Sequence, residues 1–339
     1  MNPKLEELVR KHAEYLKGYD DEEMVKNGAV FIENTILENA DEDIEEDELC
    51  KIASQTYQHI HTSLPLVGVQ VCQAREDKDD DNKEKYSGFA LRFSNATEAD
   101  GKKTVAFKIE QFKEEPQERK LKVRWGKEVE EEMKWHLGPH DIDMKEELRD
   151  LIAYEVSAEI TRMCKLKVHE IVEEEISWEY PSENPKNLNM ENGKFQQEVF
   201  RTLYTSILIG SETIARKTKM GPGNTFMASP RAMVALQSLG EFEEVNPTDK
   251  EVIFQPVAMT GTLNGAKCVR DTFYYSDKDS DDDSVLIGYK GERPSEAGVI
   301  LLLNSISFEG TGVKLKYAFA IDEQSKDFYS KVNASFKGD

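Results

Sequence analysis

A pair of histidines four residues apart is the first feature of this sequence that could do chemistry. His136 and His140 would share one face of a helix and could bind a metal ion, but a Gly-Pro pair lies between them and should end any helix. His169 begins an HExxH-like pattern in which Glu173 replaces the second histidine, so the zinc-binding pair is incomplete. Neither pattern therefore predicts a metal site.

Two loops resemble binding motifs without matching them. The acidic stretch 277–284 (DKDSDDDS) begins like a calcium loop, but Asp282 and Gly288 stand where an EF-hand needs glycine and glutamate. The stretch 221–224 (GPGN) follows a helical pattern instead of opening one, and it lacks the Gly-Lys-Ser/Thr ending of a phosphate loop. We therefore predict a surface loop at the first and a helix C-cap with a turn at the second.

No arrangement of residue types predicts catalysis or a bound cofactor. The sequence contains no G-x-S-x-G pattern, and no cysteine or serine stands in a known nucleophile context. Cys50, Cys72, Cys164 and Cys268 are scattered, which disfavours a zinc site or a disulfide framework and suits a reducing compartment. We predict no enzyme, with no catalytic, cofactor-binding or metal residues. An acidic hydrolase or metal-binding enzyme is the alternative from another class.

Acidic residues strongly outnumber basic ones. The 339 residues include 66 Asp and Glu against 44 Lys and Arg, a net charge of −22, and residues 1–50 hold 16 acidic and 5 basic residues. Such a chain repels phosphate backbones, so we exclude a sequence-reading nucleic-acid binder but not a protein that surrounds nucleic acid. No apolar stretch approaches the roughly 20 residues that span a bilayer, and the first residues lack the apolar core of a signal peptide.

Hydrophobic periodicity predicts an α+β fold rather than a doubly wound parallel sheet. Residues 1–48 resemble an acidic, partly helical arm that is mobile or becomes ordered through a partner. Alternating apolar residues predict a hairpin over 87–112 with turn residues at 95–101, and a 3–4 spacing predicts one long helix over 144–178. The other predicted elements are helices at 194–219 and from Ser229 to about 239, and strands at 66–75, 121–125, 225–228, 252–256, 266–273, 284–289, 298–303 and 312–321.

Four stretches, taken in order along the chain, carry a family resemblance. The most specific is 214–236 (IARKTKMGPGNTFMASPRAMVAL), with a helix, a basic turn, G-x-G-N, a strand, and Ser-Pro opening another helix. The others are 63–75 (SLPLVGVQVCQAR), 120–172 (KLKVRWG to VHEIV) and 285–308 (VLIGYKGERPSEAGVILLLNSISF). Together they resemble the major capsid (head) protein of T-even-type contractile-tailed bacteriophages.

This resemblance implies the Hong Kong 97-type capsid fold and a structural role. Copies would form hexamers and pentamers of an icosahedral shell that encloses double-stranded DNA without binding it sequence-specifically. The implied partners are vertex, portal, scaffold and decoration proteins and a prohead protease, with assembly in the host cytoplasm, no membrane, and a final place in the virion. The implied regions are an acidic N-terminal arm (1–60), a strand and loop leading into the P-domain (61–86), the E-loop hairpin (87–118), the P-domain with its spine helix (119–192), the A-domain (193–305) and returning strands (306–339).

The hairpin is where we expect contacts between subunits. Phe89, Leu91 and Phe93 alternate on one strand, and Val105 and Phe107 alternate on the other. Charge-rich segments flank both strands, so the hairpin is expected to project from the body. These five residues are therefore predicted to contact a neighbouring copy.

The sequence departs from the family pattern in several places. The hairpin region is too short for the extra domain that typical members insert there, and residues 303–306 (LNSI) replace the family's Pro-Tyr-Val-Pro. Ile36–Glu38 and Ile44–Glu46 fit the family's protease cleavage pattern, so trimming of the N-terminus stays open. A minor vertex capsid protein and an encapsulin-like nanocompartment shell are the alternatives with the same fold.

Overall fold

Helices and strands are mixed along the computed structural model, which describes residues 3–19, 21–40, 44–78, 84–99, 102–122, 135, 144–180, 193–245, 259–271, 283–293, 296–309 and 312–336. The α-helices are α1 (Pro3–Lys11), α2 (Glu22–Glu38), α3 (Glu46–Ser63), α4 (Met144–Ile171), α5 (Gly193–Thr218) and α6 (Pro230–Gln237). The strands are β1 (Val69–Gln73), β2 (Arg75–Lys78), β3 (Glu84–Ala99), β4 (Lys102–Glu114), β5 (Gln117–Lys122), β6 (Glu175–Glu179), β7 (Thr225–Ala228), β8 (Phe242–Glu244), β9 (Met259–Leu263), β10 (Ala266–Arg270), β11 (Asp283–Gly288), β12 (Val299–Glu309), β13 (Gly312–Ala320) and β14 (Tyr329–Ser335).

Two mixed sheets carry most of the buried residues. The first has the strand order β1-β12-β13-β5, and the second has the order β6-β14-β11-β7-β10-β9-β8. The second sheet includes two parallel pairs, β7 with β10 and β6 with β14, and the chain between β7 and β10 passes through α6. One apolar core joins α2, α3 and α4 to the first sheet, and another joins α5 and α6 to the second.

The predicted N-terminal arm, residues 1–60, instead contributes helices to the body of the molecule. The described parts of α1, α2 and α3 pack into the first core, so the expectation of a segment ordered only through a partner is wrong for them. Asp21 caps α2, because its side chain accepts a hydrogen bond from Glu23 N at 2.7 Å. Phe31 and Tyr57 are fully buried, with ring centroids 5.4 Å apart. The acidic composition hid these apolar faces, because the charges lie mainly on the opposite sides of the helices.

The end of α2 covers a strand edge that β1 leaves open. Among the described strands, β1 pairs with β12 only as far as Leu303. Beyond that point Thr35 Oγ1 accepts from Ile306 N at 3.2 Å, while Asn39 donates to Ile306 O at 2.8 Å and accepts from Phe308 N at 2.7 Å. These side chains satisfy backbone groups that a neighbouring strand would otherwise have to satisfy.

The long helix is shorter than predicted. α4 has 28 residues and is therefore about 42 Å long, whereas the prediction continued to residue 178. Residues 175–179 form β6, in which Ile176 and Trp178 alternate toward the second core. This short apolar alternation fits a strand as well as the end of a helix, and pairing with β14 decides between them. The buried apolar residues of α4 are Ala153, Val156, Ile160, Cys164 and Val168.

One buried ion pair connects α4 to the second sheet. Lys165 Nζ lies 2.8 Å from Asp271 Oδ2, and the two side chains are only 6% and 10% exposed. Asp271 directly follows β10, and its backbone N–H donates to the carbonyl of Ala228 at the end of β7 at 2.9 Å. The ion pair therefore joins the C-terminal third of a long helix to the end of two parallel strands.

The segment with the strongest family resemblance folds as predicted, with one difference in its turn. α5, β7 and α6 match the predicted elements, and Ser229 caps α6 by accepting from Ala232 N. After α5 the left-handed residue is Lys219, with φ of 60°, and not a glycine. Gly223 serves close packing instead, because a Cβ there would lie 2.5 Å from Ile287 Cγ2.

The remaining strand predictions are confirmed in position where the structure describes them. Predicted strands at 66–75, 266–273, 284–289, 298–303 and 312–321 contain β1, β10, β11, β12 and β13 in whole or in part, whereas 252–256 lies outside the described residues. Strands β2, β6, β8, β9 and β14 were not predicted from the sequence. No described helix is long and apolar enough to cross a membrane.

The cysteine thiols should react slowly in the folded protein. All four are free; burial raises the pKa of Cys50 to about 11 and those of Cys72 and Cys268 to about 12. Because the thiolate is the reactive form, we expect DTNB at pH 8 to label native protein on the order of 100-fold more slowly than urea-unfolded protein. Equal labelling rates for the native and unfolded protein would contradict this packing.

Candidate assembly surfaces

The predicted hairpin is present and is longer than expected. β3 and β4 pair in antiparallel register from Tyr86 opposite Glu114 to Ala99 opposite Lys102. The residues at 95–99, which were predicted to form the turn, continue β3 after a shift of register, so that part of the prediction is wrong. At about 3.3 Å per residue, the part of β3 beyond residue 88 extends roughly 35 Å.

The five predicted contact residues occupy related positions on this ladder. Because residues alternate between the two faces of a strand, Phe89, Leu91 and Phe93 share one face. Phe107 lies directly opposite Phe93 and so belongs to the same face, and Val105 precedes it by two residues where the register shifts. The ladder therefore brings the predicted residues together, although no partner chain tests their role.

The root of the hairpin is anchored on β12 of the first sheet. Tyr86 is fully buried and Phe112 is nearly so, and both belong to a small apolar cluster with Leu302. Gly88 allows this close approach, because a Cβ at that position would lie 2.8 Å from Leu302 Cδ2.

Asn304 is the polar centre of this root and was missed by the sequence analysis. Its amide nitrogen donates to Tyr86 Oη at 3.0 Å and to Glu76 Oε1 at 2.8 Å, and its amide oxygen accepts from Asn34 Nδ2 at 2.9 Å. Its backbone carbonyl accepts from Gln73 Nε2 at 3.2 Å. One side chain that is 1% exposed thus links α2, β2, β3 and β12. It lies where the sequence departs from the family pattern, and a bulge in β12 gives it this position.

The outer strand of the hairpin offers a second type of contact. In the described three-stranded sheet the order is β2-β3-β4, so β4 is an edge strand. An edge strand presents backbone N–H and C=O groups that another chain can pair with. The hairpin therefore combines an apolar face with an open edge.

Exposed apolar residues mark a further surface around α5 and α6. Val234 is 61% exposed, and Ile209 on α5 is 55% exposed. Beside Val234 lies a groove of about 570 Å³ between α6 and the end of the described chain, lined by Phe200, Pro230, Arg231, Ala235 and Phe336. Exposed apolar surface of this kind marks an interaction surface or a ligand-binding groove.

One cluster has the residue types of a catalytic triad but not its environment. His12 Nε2 lies 2.9 Å from Glu33 Oε2, and Cys50 Sγ lies 3.9 Å from His12 Nδ1. Both Cys50 and His12 are almost fully buried, and burial raises the pKa of the thiol. Because the thiolate is the nucleophilic form, a buried thiol whose pKa is raised is poorly reactive, and this cluster has the environment of a packing contact between helices.

The other chemical candidates from the sequence lie apart from these surfaces. His136, His140 and most of the acidic stretch 277–284 fall outside the described residues. Over the described ranges, no three His, Cys, Asp or Glu side chains are placed to hold a metal ion. His169 lies in the last turn of α4, and no group of three candidate ligands among the described residues includes it.

Comparison with known families decides what these surfaces belong to. Residues 9–301 match the family model described as "Major capsid protein Gp23". The chain belongs to this capsid protein family. A member of the family is a structural subunit of a phage head shell, so the surfaces described above are those of a protein that assembles with copies of itself and becomes part of a virion.

Solved phage capsid proteins resemble this capsid protein only distantly. A Mycobacterium phage Bobi chain has 10% identity and a TM-score of 0.41, with 82% of this chain and 91% of that chain covered. The capsid of Myoviridae phage XM1 has 7% identity and a TM-score of 0.34, with 80% and 91% covered. The head structure of Helicobacter pylori bacteriophage KHP40 has 7% identity and a TM-score of 0.31, with 80% and 87% covered. A comparison with curated proteins finds no sequence match.

Proposed function

We propose that this capsid protein forms hexamers and pentamers that close into an icosahedral shell around double-stranded DNA. The chain would adopt the Hong Kong 97-type arrangement, with residues 87–118 as the E-loop and α4 as the spine of a P-domain over 119–192. Residues 193–305 would form the A-domain, and 306–339 would return to the P-domain. The N-terminal helices pack on their own subunit, so this proposal gives the hairpin, and not an N-terminal arm, the main part in reaching a neighbour.

The observation that carries the proposal is the rooted hairpin. Its strands are 16 and 13 residues long, and Tyr86 and Asn304 hold its base to β12. Its apolar face and its edge strand are the features that a neighbouring copy would cover. Phe89, Leu91, Phe93, Val105 and Phe107 are the proposed contact residues.

The charge of the chain fits a wall that does not bind its contents. A net charge of −22 repels phosphate, so packaged DNA would not adhere to the shell. Assembly in the host cytoplasm and contacts with vertex, portal, scaffold and decoration proteins and with a prohead protease belong to the proposal. The proposed role is structural and includes no catalytic step.

A face-specific substitution in the hairpin tests the proposal. We expect the pair Phe93→Ser and Phe107→Ser to leave the melting temperature of the monomer unchanged. At about 1.5–3 kcal/mol for each buried aromatic side chain, the pair should weaken association by at least about 100-fold. Sedimentation velocity across a concentration series measures the assembled fraction.

The same ladder supplies the matched control. Arg92 lies opposite Lys108, one position along from the Phe93–Phe107 pair and therefore on the other face. The pair Arg92→Ser and Lys108→Ser should assemble as the wild type does. The proposal fails if both pairs assemble normally, or if the phenylalanine pair lowers the melting temperature, since its face would then pack on its own subunit.

A further inference from the structure

The GPGN stretch (221–224) and the loop that follows β11 meet at a pocket that has no part in the proposed hairpin contact. Asn224, the last residue of the GPGN stretch, donates from Nδ2 to Lys290 O at 2.8 Å and accepts from Lys290 N at 3.1 Å. Its backbone carbonyl accepts from Lys267 N at 2.9 Å. One asparagine thus holds the backbone of two lysines on neighbouring segments. A turn alone would not need these three hydrogen bonds.

The two lysines line one cavity. Its volume is about 670 Å³, and its walls come from β7, from the β9–β10 turn and from the loop that follows β11. The other residues of its lining include Thr225, Tyr289 and Arg293. The pocket is therefore large enough for one or two side chains from another molecule, and its lining carries three cationic side chains, with Arg293 added to the two lysines, against two carboxylates.

These lysines have no carboxylate partner in the described part of the chain. Lys290 is half-buried, and its ammonium donates to the carbonyl of Gly291 at 3.1 Å. Burial and then the charge of Lys267 lower the pKa of Lys290, while Asp21 and Glu23 act in the opposite direction without reaching ion-pair distance.

The acidic residues of the pocket do not neutralise the two lysines. Glu296 accepts from the backbone N–H of Arg293 at 3.4 Å and lies 3.9 Å from its guanidinium, and Glu292 is exposed at the rim. A half-buried cation held beside another cation costs stability. Such a cost is typical of a site that is completed by an external group.

We propose that this cationic pocket receives a carboxylate-bearing segment from a second copy of the chain. The inference rests on the proposed function, because it concerns a contact between shell subunits. Copies with a net charge of −22 repel one another, and a cationic pocket gives an acidic neighbour a specific place of attraction. The acidic excess of the chain also makes a carboxylate the most abundant group that a neighbour can offer.

Crosslinking identifies the contact directly. Shells assembled from a 1:1 mixture of ¹⁴N-labelled and ¹⁵N-labelled full-length chains are treated with a carbodiimide, which joins a lysine to a carboxylate in contact with it. We expect mixed-isotope peptides in which Lys267 or Lys290 is joined to an Asp or Glu. Assembled shells in which neither lysine forms such a crosslink would overturn the inference, whereas failure of the wild type to assemble would count against the proposed function instead.

A charge-matched pair of variants gives the energetic test. We expect Lys267→Met with Lys290→Met to raise the concentration needed for assembly at least about tenfold and to reduce its salt dependence, without lowering the melting temperature. The control, Lys167→Met with Lys326→Met, removes two exposed lysines that pair with Glu170 and Glu173 in their own chain, and it should assemble as the wild type does.

Two outcomes of this test would overturn the inference. One is assembly of the pocket variant at the wild-type concentration. The other is binding of a DNA duplex or of inorganic phosphate that the pocket variant loses while its assembly is unchanged, since the pocket would then be a site for phosphate and not for a neighbouring copy.

Discussion

Replacing Asp271 with alanine is expected to lower the free energy of unfolding by about 3–5 kcal/mol, because it removes the carboxylate that neutralises a buried ammonium group. The carboxylate lies 2.8 Å from Lys165, and the lysine side chain is only 6% exposed. Without it the chain must keep a buried charge that has lost this partner, release the proton of Lys165, or move the long helix away from the end of β10, and each response costs stability. Urea unfolding followed by circular dichroism measures the change.

Two controls separate this charge effect from loss of packing. The double variant Lys165→Met with Asp271→Leu removes both charges and should restore most of the lost stability. Glu241→Ala breaks the exposed ion pair with Arg201 and should cost less than about 1 kcal/mol. A loss below about 1 kcal/mol for Asp271→Ala would show that the pair is solvated and does not join α4 to the second sheet.

Asn304→Leu is expected to cost about 2–4 kcal/mol, because it removes the amide partner of the buried Tyr86 hydroxyl and of the half-buried Asn34 amide, as well as that of the exposed Glu76. Tyr86 and Glu76 lose the amide donor, and Asn34 loses the acceptor for its own amide. Hydrogen exchange should show faster exchange at the root of the hairpin than in α5.

The matched control for this variant is another strand asparagine. Asn333 in β14 donates to Glu175 at 3.0 Å near the surface, and Asn333→Leu should change stability by no more than about 0.5 kcal/mol. If Asn304→Leu is equally mild, or if exchange at Tyr86 and its neighbours is unchanged, Asn304 does not anchor the hairpin.

Local sequence signals predicted the elements that have their own capping residues or a clear apolar periodicity. The serine and proline before α6, the helical spacing of α5 and the alternation in β3 and β4 each specify one local structure. The N-terminal helices were misjudged because the density of charge masked apolar faces that only packing reveals. β6 was assigned to a helix because its pairing with β14 joins residues far apart in sequence.

The candidate assembly residues were predictable in kind but not in arrangement. Alternation placed Phe89, Leu91 and Phe93 together, yet the pairing of Phe93 with Phe107 depends on a register that the sequence does not state. Asn304 and Asn224 act through hydrogen bonds to segments distant in sequence, and although Asn224 ends the GPGN stretch, that motif does not predict which backbone groups it binds. Polar contacts between residues that are distant in sequence can be identified only from the folded structure.

Electron cryomicroscopy of particles assembled from the purified full-length chain tests the central claim most directly. The map should show closed shells in which residues 87–112 of each subunit lie across a neighbouring subunit and α4 stays with its own body. Particles in which that hairpin folds back on its own subunit, or a protein that stays monomeric under every assembly condition including added scaffold, would contradict the account.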